Sequence, residues 1–254
     1  VNGWKVALLL MIMVISGCTG NNVRSPQERA DASAAYTRLG IKYLQTQDLQ
    51  GAKNAFQKAL SLNQEEAQAL NGLALVFQME QEMALSEQYF RKAIAADSES
   101  AQIYNNYGAF LFSQKRYSDA CRQLARATED PFYSQRGQAF ENLGRCYLHL
   151  ERSDAAEHAL QRSLQLNPNR PLALIQLSEL LLARGEAELA GRHFERFSTL
   201  VEKKRVNHFP KSLWLGIQLS RSQGDAVQAA TYALILKNLY PESTEYREYE
   251  ESTH

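Results

Sequence analysis

With 254 residues, 44% of them apolar, the chain is long enough to bury a core, and its 6 prolines and 13 glycines supply few of the breakers that a strand-rich fold needs. Its 28 basic residues balance 28 acidic ones, which excludes the concentrated basic surface that displaces counterions from nucleic acid. Helix is the expected fabric, and no nucleic-acid partner is expected.

Chemistry begins at the amino terminus. After Lys5 an uncharged apolar run extends from Val6 to Ile15, too short for the ~20 residues of a spanning helix and suited to the core of a signal peptide. It ends in Ile15-Ser16-Gly17-Cys18, which resembles the bacterial lipobox, a branched residue and two small ones before a cysteine that is lipidated. The resemblance implies a signal peptide over 1–17 and a lipidated Cys18 with a short leash over 18–25. The alternative is an ordinary secretory signal with a chance cysteine. Thr19, standing where an aspartate signals inner-membrane retention, implies the outer membrane, lipid-anchored and facing the periplasm. Removing residues 1–17 deletes only Lys5, leaving 27 basic residues against 28 acidic ones. Ser25-Pro26-Gln27-Glu28 combines an N-cap serine, a proline at the first helical position and a glutamate at the third, which predicts a helix from Pro26. The leash of residues 19–24 then reaches at most ~20 Å, and the folded body sits close to the bilayer.

Self-similarity follows. Segments starting at Ser33, Ala67, Ala101, Gly137 and Pro171 define units 33–66, 67–100, 101–134, 137–170 and 171–204 within a region 26–205. The eighth position of each is small (Gly40, Ala74, Gly108, Gly144, Ser178), and so is the twentieth (Ala52, Ser86, Ala120, Ala156, Ala190). Large apolar residues fill the fourth, seventh and eleventh positions, forming one stripe of a first helix. The twenty-fourth is Phe56, Phe90, Leu124, Leu160 and Phe194. Two helices cross closely only where side chains vanish, and this pattern resembles the tetratricopeptide repeat. It predicts an all-α tetratricopeptide superhelical solenoid of about six repeats. The sixth, within 206–243 and best placed from Pro210, is degenerate: Leu213 and Ser220 suit its fourth and eleventh positions poorly. Lys203-Lys204-Arg205 reads as a solvated inter-helix segment, and residues 244–254 as an acidic, solvated tail.

Catalytic motifs are missing: there is no His-Glu-x-x-His, no Gly-x-Ser-x-Gly elbow and no phosphate-cradling glycine loop. The chain is expected to be no enzyme, with no metal, no cofactor and no small-molecule substrate; His149 and His158 lack companions spaced as further ligands. Cys121 and Cys146 fall on neighbouring helices, where they form either a disulfide or two buried thiols.

First helices of stacked repeats line a concave face. In repeats one to three it carries Ile41, Leu44, Gln45, Asn71, Leu75, Met79 and Asn105, apolar and amide-rich without lysine or arginine. Ile41, Leu44, Leu75 and Met79 suit a hydrophobic helix or extended peptide, and Asn71 and Asn105 its backbone. The alternative is that some of them pack against the amino-terminal helix extension.

Four stretches, Asn105-Asn106-Tyr107-Gly108-Ala109-Phe110-Leu111, Asp130-Pro131-Phe132-Tyr133, Glu141-Asn142-Leu143-Gly144-Arg145-Cys146 and Leu166-Asn167-Pro168, together with the lipobox, resemble the PilF/PilW family of type IV pilus biogenesis lipoproteins, the pilotins. The resemblance implies a membrane-tethered monomer that escorts the pilus secretin, PilQ, and promotes its outer-membrane multimerisation. The alternative is a scaffold lipoprotein of β-barrel assembly or of peptidoglycan-enzyme complexes.

Overall fold

The structure, a computed structural model, describes residues 25–253; the expected signal peptide and Cys18 lie outside them. Among the described residues there are helices and no strand. They are α1 (Pro26–Gln45), α2 (Leu49–Leu62), α3 (Ala67–Met79), α4 (Met83–Ala96), α5 (Ala101–Ser113), α6 (Tyr117–Ala127), α7 (Arg136–His149), α8 (Ser153–Leu166), α9 (Pro171–Ala183), α10 (Ala187–Glu202), α11 (Pro210–Ser222), α12 (Ala226–Leu239) and α13 (Thr244–Glu251). Consecutive pairs form six antiparallel hairpins, stacked as a tetratricopeptide solenoid.

Local chemistry sets the ends of these helices. Ser25 Oγ accepts from the Glu28 amide at 3.1 Å while Glu28 Oε2 accepts from the Ser25 amide at 2.7 Å, a reciprocal cap that starts α1 at Pro26. Inside each hairpin the turn occupies three residues and hinges on the fifteenth position, always in the left-handed region: Gln47, Gln81, Lys115 and Glu151 at φ 56–64°, then Gly185 and Gly224. Only the last two carry the residue that adopts this conformation without a Cβ penalty.

The small residues are notches. A Cβ added at Gly108 would stand 2.6 Å from Leu124 Cγ, and one at Gly144 2.7 Å from Leu160 Cγ, so the eighth position receives the knob at the twenty-fourth. Where one of the small pair is serine, its hydroxyl bridges the crossing: Ser86 Oγ donates to the Ala74 carbonyl at 2.9 Å, and Ser178 Oγ to that of Ala190 at 2.7 Å. The first and twenty-seventh positions repeat this exchange, Ser33 donating to Ala59 and Ser163 to Gly137. Each bond satisfies a polar group that burial would otherwise penalise.

Stacking uses the seventh position, as when Tyr107 lies 5.4 Å, ring to ring, from Phe90 of the preceding unit. Leu39 holds the same place in the first unit, has no preceding repeat, and stays 39% exposed. In the sixth unit the notch slides by one residue, since Gly216 rather than Ile217 faces the knob, here Tyr232. Leu213 and Ser220, a poor match to the repeat pattern, are nonetheless buried. The segment expected to be a solvated acidic tail is instead α13, capped by Ser243. Its Tyr246 and Tyr249 pack on the last hairpin, Tyr249 lying edge-on to Trp214 at 6.4 Å. The acidic residues hide a two-tyrosine stripe spaced at three, which one helical turn brings to a single face.

Candidate protein-binding groove

The ninth, twelfth and thirteenth positions fall on one side of a first helix, and consecutive first helices line one concave surface with them. On α1 and α3 this surface sinks into a groove of about 410 Å³ bordered by Ile41, Leu44 and Gln45 from one repeat and Asn71, Leu75 and Met79 from the next. Gln68, Gln78 and Gln102 supply further amides, Gly72 lies among them, and no charged residue borders it. Ile41 is 37% and Met79 49% exposed, so these apolar groups are not spent on the core. The extension Pro26–Asp31 is exposed along its length and flanks the α2–α3 turn instead; it does not fill the groove.

Asn105 does not join the other six. It is 4% exposed, and its Oδ1 accepts from Asn142 Nδ2 at 3.0 Å. Asn71, equally enclosed, accepts from Asn106 at 3.2 Å. The asparagines thus form a ladder in which the sixth position of one repeat donates to the fifth position of the one before. Their carbonyl oxygens hold the stack together rather than waiting for a visiting backbone. One repeat further on, Glu141 takes the fifth position and accepts two bonds from Arg170, at 2.8 and 3.0 Å, and one from the Ala173 amide at 3.2 Å. A carboxylate at the start of α9 also complements the helix dipole.

Cys121 of α6 and Cys146 of α7 are paired, with Cα atoms 5.6 Å apart, joining repeats three and four. His149 is stacked on Tyr117 at 4.6 Å, a packing role. No group of three or more His, Cys, Asp or Glu side chains suited to a metal occurs among the described residues, and no helix among them is long and apolar enough to cross a membrane.

Farther along the concave face the character changes. Arg145, at the ninth position of repeat four, lays its guanidinium over Phe112, 4.4 Å from the ring centre. Beyond it, Glu179, Lys211, Trp214, Glu245 and Glu248 surround a second hollow. Burial pushes the Glu179 carboxyl above its usual range, and Lys211 at 3.1 Å only partly counters this. Composition of the first three repeats alone gave no sign of this charged half. The ninth-position residue of repeat four, Arg145, is the signal that the repeat alignment offers for it.

Residues 99–169 match one tetratricopeptide repeat family model, and residues 37–101 and 141–198 match a second. Over 251 residues the chain is 36% identical to the type IV pilus assembly protein PilF of Pseudomonas aeruginosa, covering 97% of this chain and 98% of that protein. It is similar to the solved structure of Pseudomonas aeruginosa PilF, with a TM-score of 0.82 and 38% identity over 88% of this chain and 99% of that one. It is also similar to that of PilW, a widely conserved type IV pilus biogenesis factor, with a TM-score of 0.72 and 27% identity over 85% of this chain and 97% of that one.

Proposed function

The chain belongs to the family of the type IV pilus assembly protein PilF, and on that premise we propose that it is a pilotin, a monomeric outer-membrane lipoprotein that binds the pilus secretin and promotes its multimerisation. The lipid anchor is Cys18, which supplies an outer-membrane address facing the periplasm; one acyl chain holds only marginally, so the multiple chains of a bacterial lipoprotein make the tether durable. The groove of repeats one and two holds a segment of the secretin.

The observation that carries this reading is the exposure of Ile41 and Met79 beside half-buried Leu44 and Leu75 in a charge-free hollow. Apolar area left open at a concave site gains free energy when a partner covers it, about 25 cal/mol per Å². Leu44→Glu places a carboxylate in that hollow, and it is expected to weaken secretin binding at least tenfold, roughly 1.4 kcal/mol, with the helical fold retained. Equal affinity for the two proteins removes this groove from consideration. Cys18→Ala is expected to leave the fold intact and to misplace secretin multimers, which fractionation of outer membranes reads directly.

A further inference from the structure

Five arginines of the described chain are half-buried: Arg116, Arg136, Arg145, Arg162 and Arg170. Arg116 is paired with Glu87 and Asp119, Arg170 with Glu141, Arg136 donates to the Thr128 carbonyl and Arg162 to Gln165. Arg145 alone of the five has no hydrogen-bond or ion-pair partner among the described residues, and its Nε is buried without an acceptor. Half-burying an unpaired guanidinium costs free energy, and the fold offers it only the face of Phe112, a ring itself held edge-on by His149 at 4.9 Å and Tyr117 at 5.2 Å. Stacking of this kind fixes the plane of the fork, and its terminal N–H groups make no hydrogen bond among the described residues. That arrangement is suited to accept a carboxylate in two-pronged fashion.

Arg145 lies on the same concave surface as the apolar groove, two first-helices along, on α7 where the groove is built on α1 and α3. Packed helix axes lie 8–10 Å apart, so the two stations are roughly 18 Å apart, which an extended chain at ~3.3 Å per residue spans in five or six residues. Between them the ninth position is Ala109, which leaves the path low.

We infer that Arg145 is a carboxylate-binding subsite: the segment held on this face is an extended peptide bearing an apolar pair for the groove and, five or six residues away, an aspartate or glutamate side chain for Arg145. The inference rests on the groove reading above and specifies the ligand that this reading leaves open. Charge complementarity selects this occupant, because the groove proper contains no charge and, among the described residues, the one unpaired half-buried arginine stands at one end of the path.

The test is selection from a phage-displayed library of random twelve-residue peptides on the intact protein, its Arg145→Gln variant and its Leu44→Glu variant. Peptides selected on the wild type are expected to combine an apolar pair with an acidic residue five or six positions away, and those selected on Arg145→Gln to keep the apolar pair and lose the acidic preference. A synthetic copy of one selected peptide, its acidic residue changed to the matching amide, is expected to bind the wild type roughly tenfold more weakly and Arg145→Gln with unchanged affinity. Arg145→Lys, which keeps the charge without the planar fork, restores part of the difference and controls for folding. Wild-type peptides without the acidic preference, or a preference that persists in Arg145→Gln, overturn the subsite. Failure of the groove shows differently, as apolar-pair peptides that bind Leu44→Glu as well as they bind the wild type. Recovery of no peptide at all by the wild type removes both.

Discussion

Gly40→Ala tests the notch that sets the crossing of α1 and α2. A Cβ at residue 40 would stand 2.5, 2.7 and 2.8 Å from three ring carbons of Phe56, well inside contact distance, so either the ring or a helix must move. The ring has little retreat, because Gly72 of the next repeat also abuts it and Phe56 is fully buried. Overpacking of this kind costs about 1–3 kcal/mol, and a clamped ring belongs at the upper end. Against this, replacing glycine by alanine inside a helix gains about 0.8–1 kcal/mol, which leaves a net loss of about 2 kcal/mol. For a domain of this size that is a fall of roughly 4–8 °C in melting temperature. Thermal denaturation followed by circular dichroism measures it. The companion variant is Gly137→Ala, whose added Cβ would meet nothing closer than 3.5 Å and which is expected to be neutral or slightly stabilising. In the double variant Gly40→Ala/Phe56→Leu the smaller side chain relieves the clash, so the two losses should sum to less than their separate values. A melting temperature that rises in Gly40→Ala, or strict additivity in the double variant, refutes the notch argument.

Three further outcomes are expected. Glu141→Ala leaves the part-buried Arg170 unpaired and strips an acceptor from the Ala173 amide, costing about 3 kcal/mol by chemical denaturation, whereas Glu188→Ala at the exposed 3.6 Å pair with Arg192 should be silent. The Cys121–Cys146 pair closes a loop of 25 residues, so the non-reduced protein should show no reactive thiol from these two on denaturation, and reduction should cost about 3 kcal/mol; two free thiols in the unreduced, denatured chain dispose of the bridge. Burial holds the His208 imidazole below its usual pKa among Phe197, Tyr232 and Ser212, and His193 is lowered in the same way by burial and by Arg196 and Arg192. Below about pH 6.5 the unfolded chain therefore takes up protons that the folded chain refuses, and stability falls as pH drops through that window. Glu179, raised by burial, opposes the trend, and His208→Gln should flatten the decline; an identical slope in that variant rules His208 out as its source.

The hairpins were legible because the residues that cannot be large recur at fixed offsets: every twentieth-position residue, from Ala52 to Ala190, is fully buried, and each faces the same crossing. Groove membership was legible for the same reason, since helical periodicity alone puts Ile41, Leu44, Leu75 and Met79 on one side. Asn105 was not, because its fate depends on which residue of the following repeat sits across from it. That partner, Asn142, is fixed by the angle between repeats and not by any spacing within one. Leu39 and α13 were opaque for a related reason, as they stand at the ends of the stack, where a repeat-wide rule meets a missing or foreign neighbour.

Comparison among the repeats of this one chain separates what folding demands from what it leaves free. In repeats one to five the eighth and twentieth positions stay small and the twenty-fourth stays large, since the close crossing fails otherwise. The ninth position instead runs Ile41, Leu75, Ala109, Arg145 and Glu179, spanning aliphatic, small, cationic and anionic chemistry on an unchanged backbone. A position that tolerates all of these contributes little to the hairpin, so an isoleucine kept 37% open at one of them is not explained by packing. Ile41→Gln should therefore leave the melting temperature within about 2 °C of the wild type, because a surface change away from core, caps and buried pairs costs at most about 0.5 kcal/mol. A larger fall would mean that the groove wall is part of the core, and the case for binding at repeats one and two would lose its physical basis.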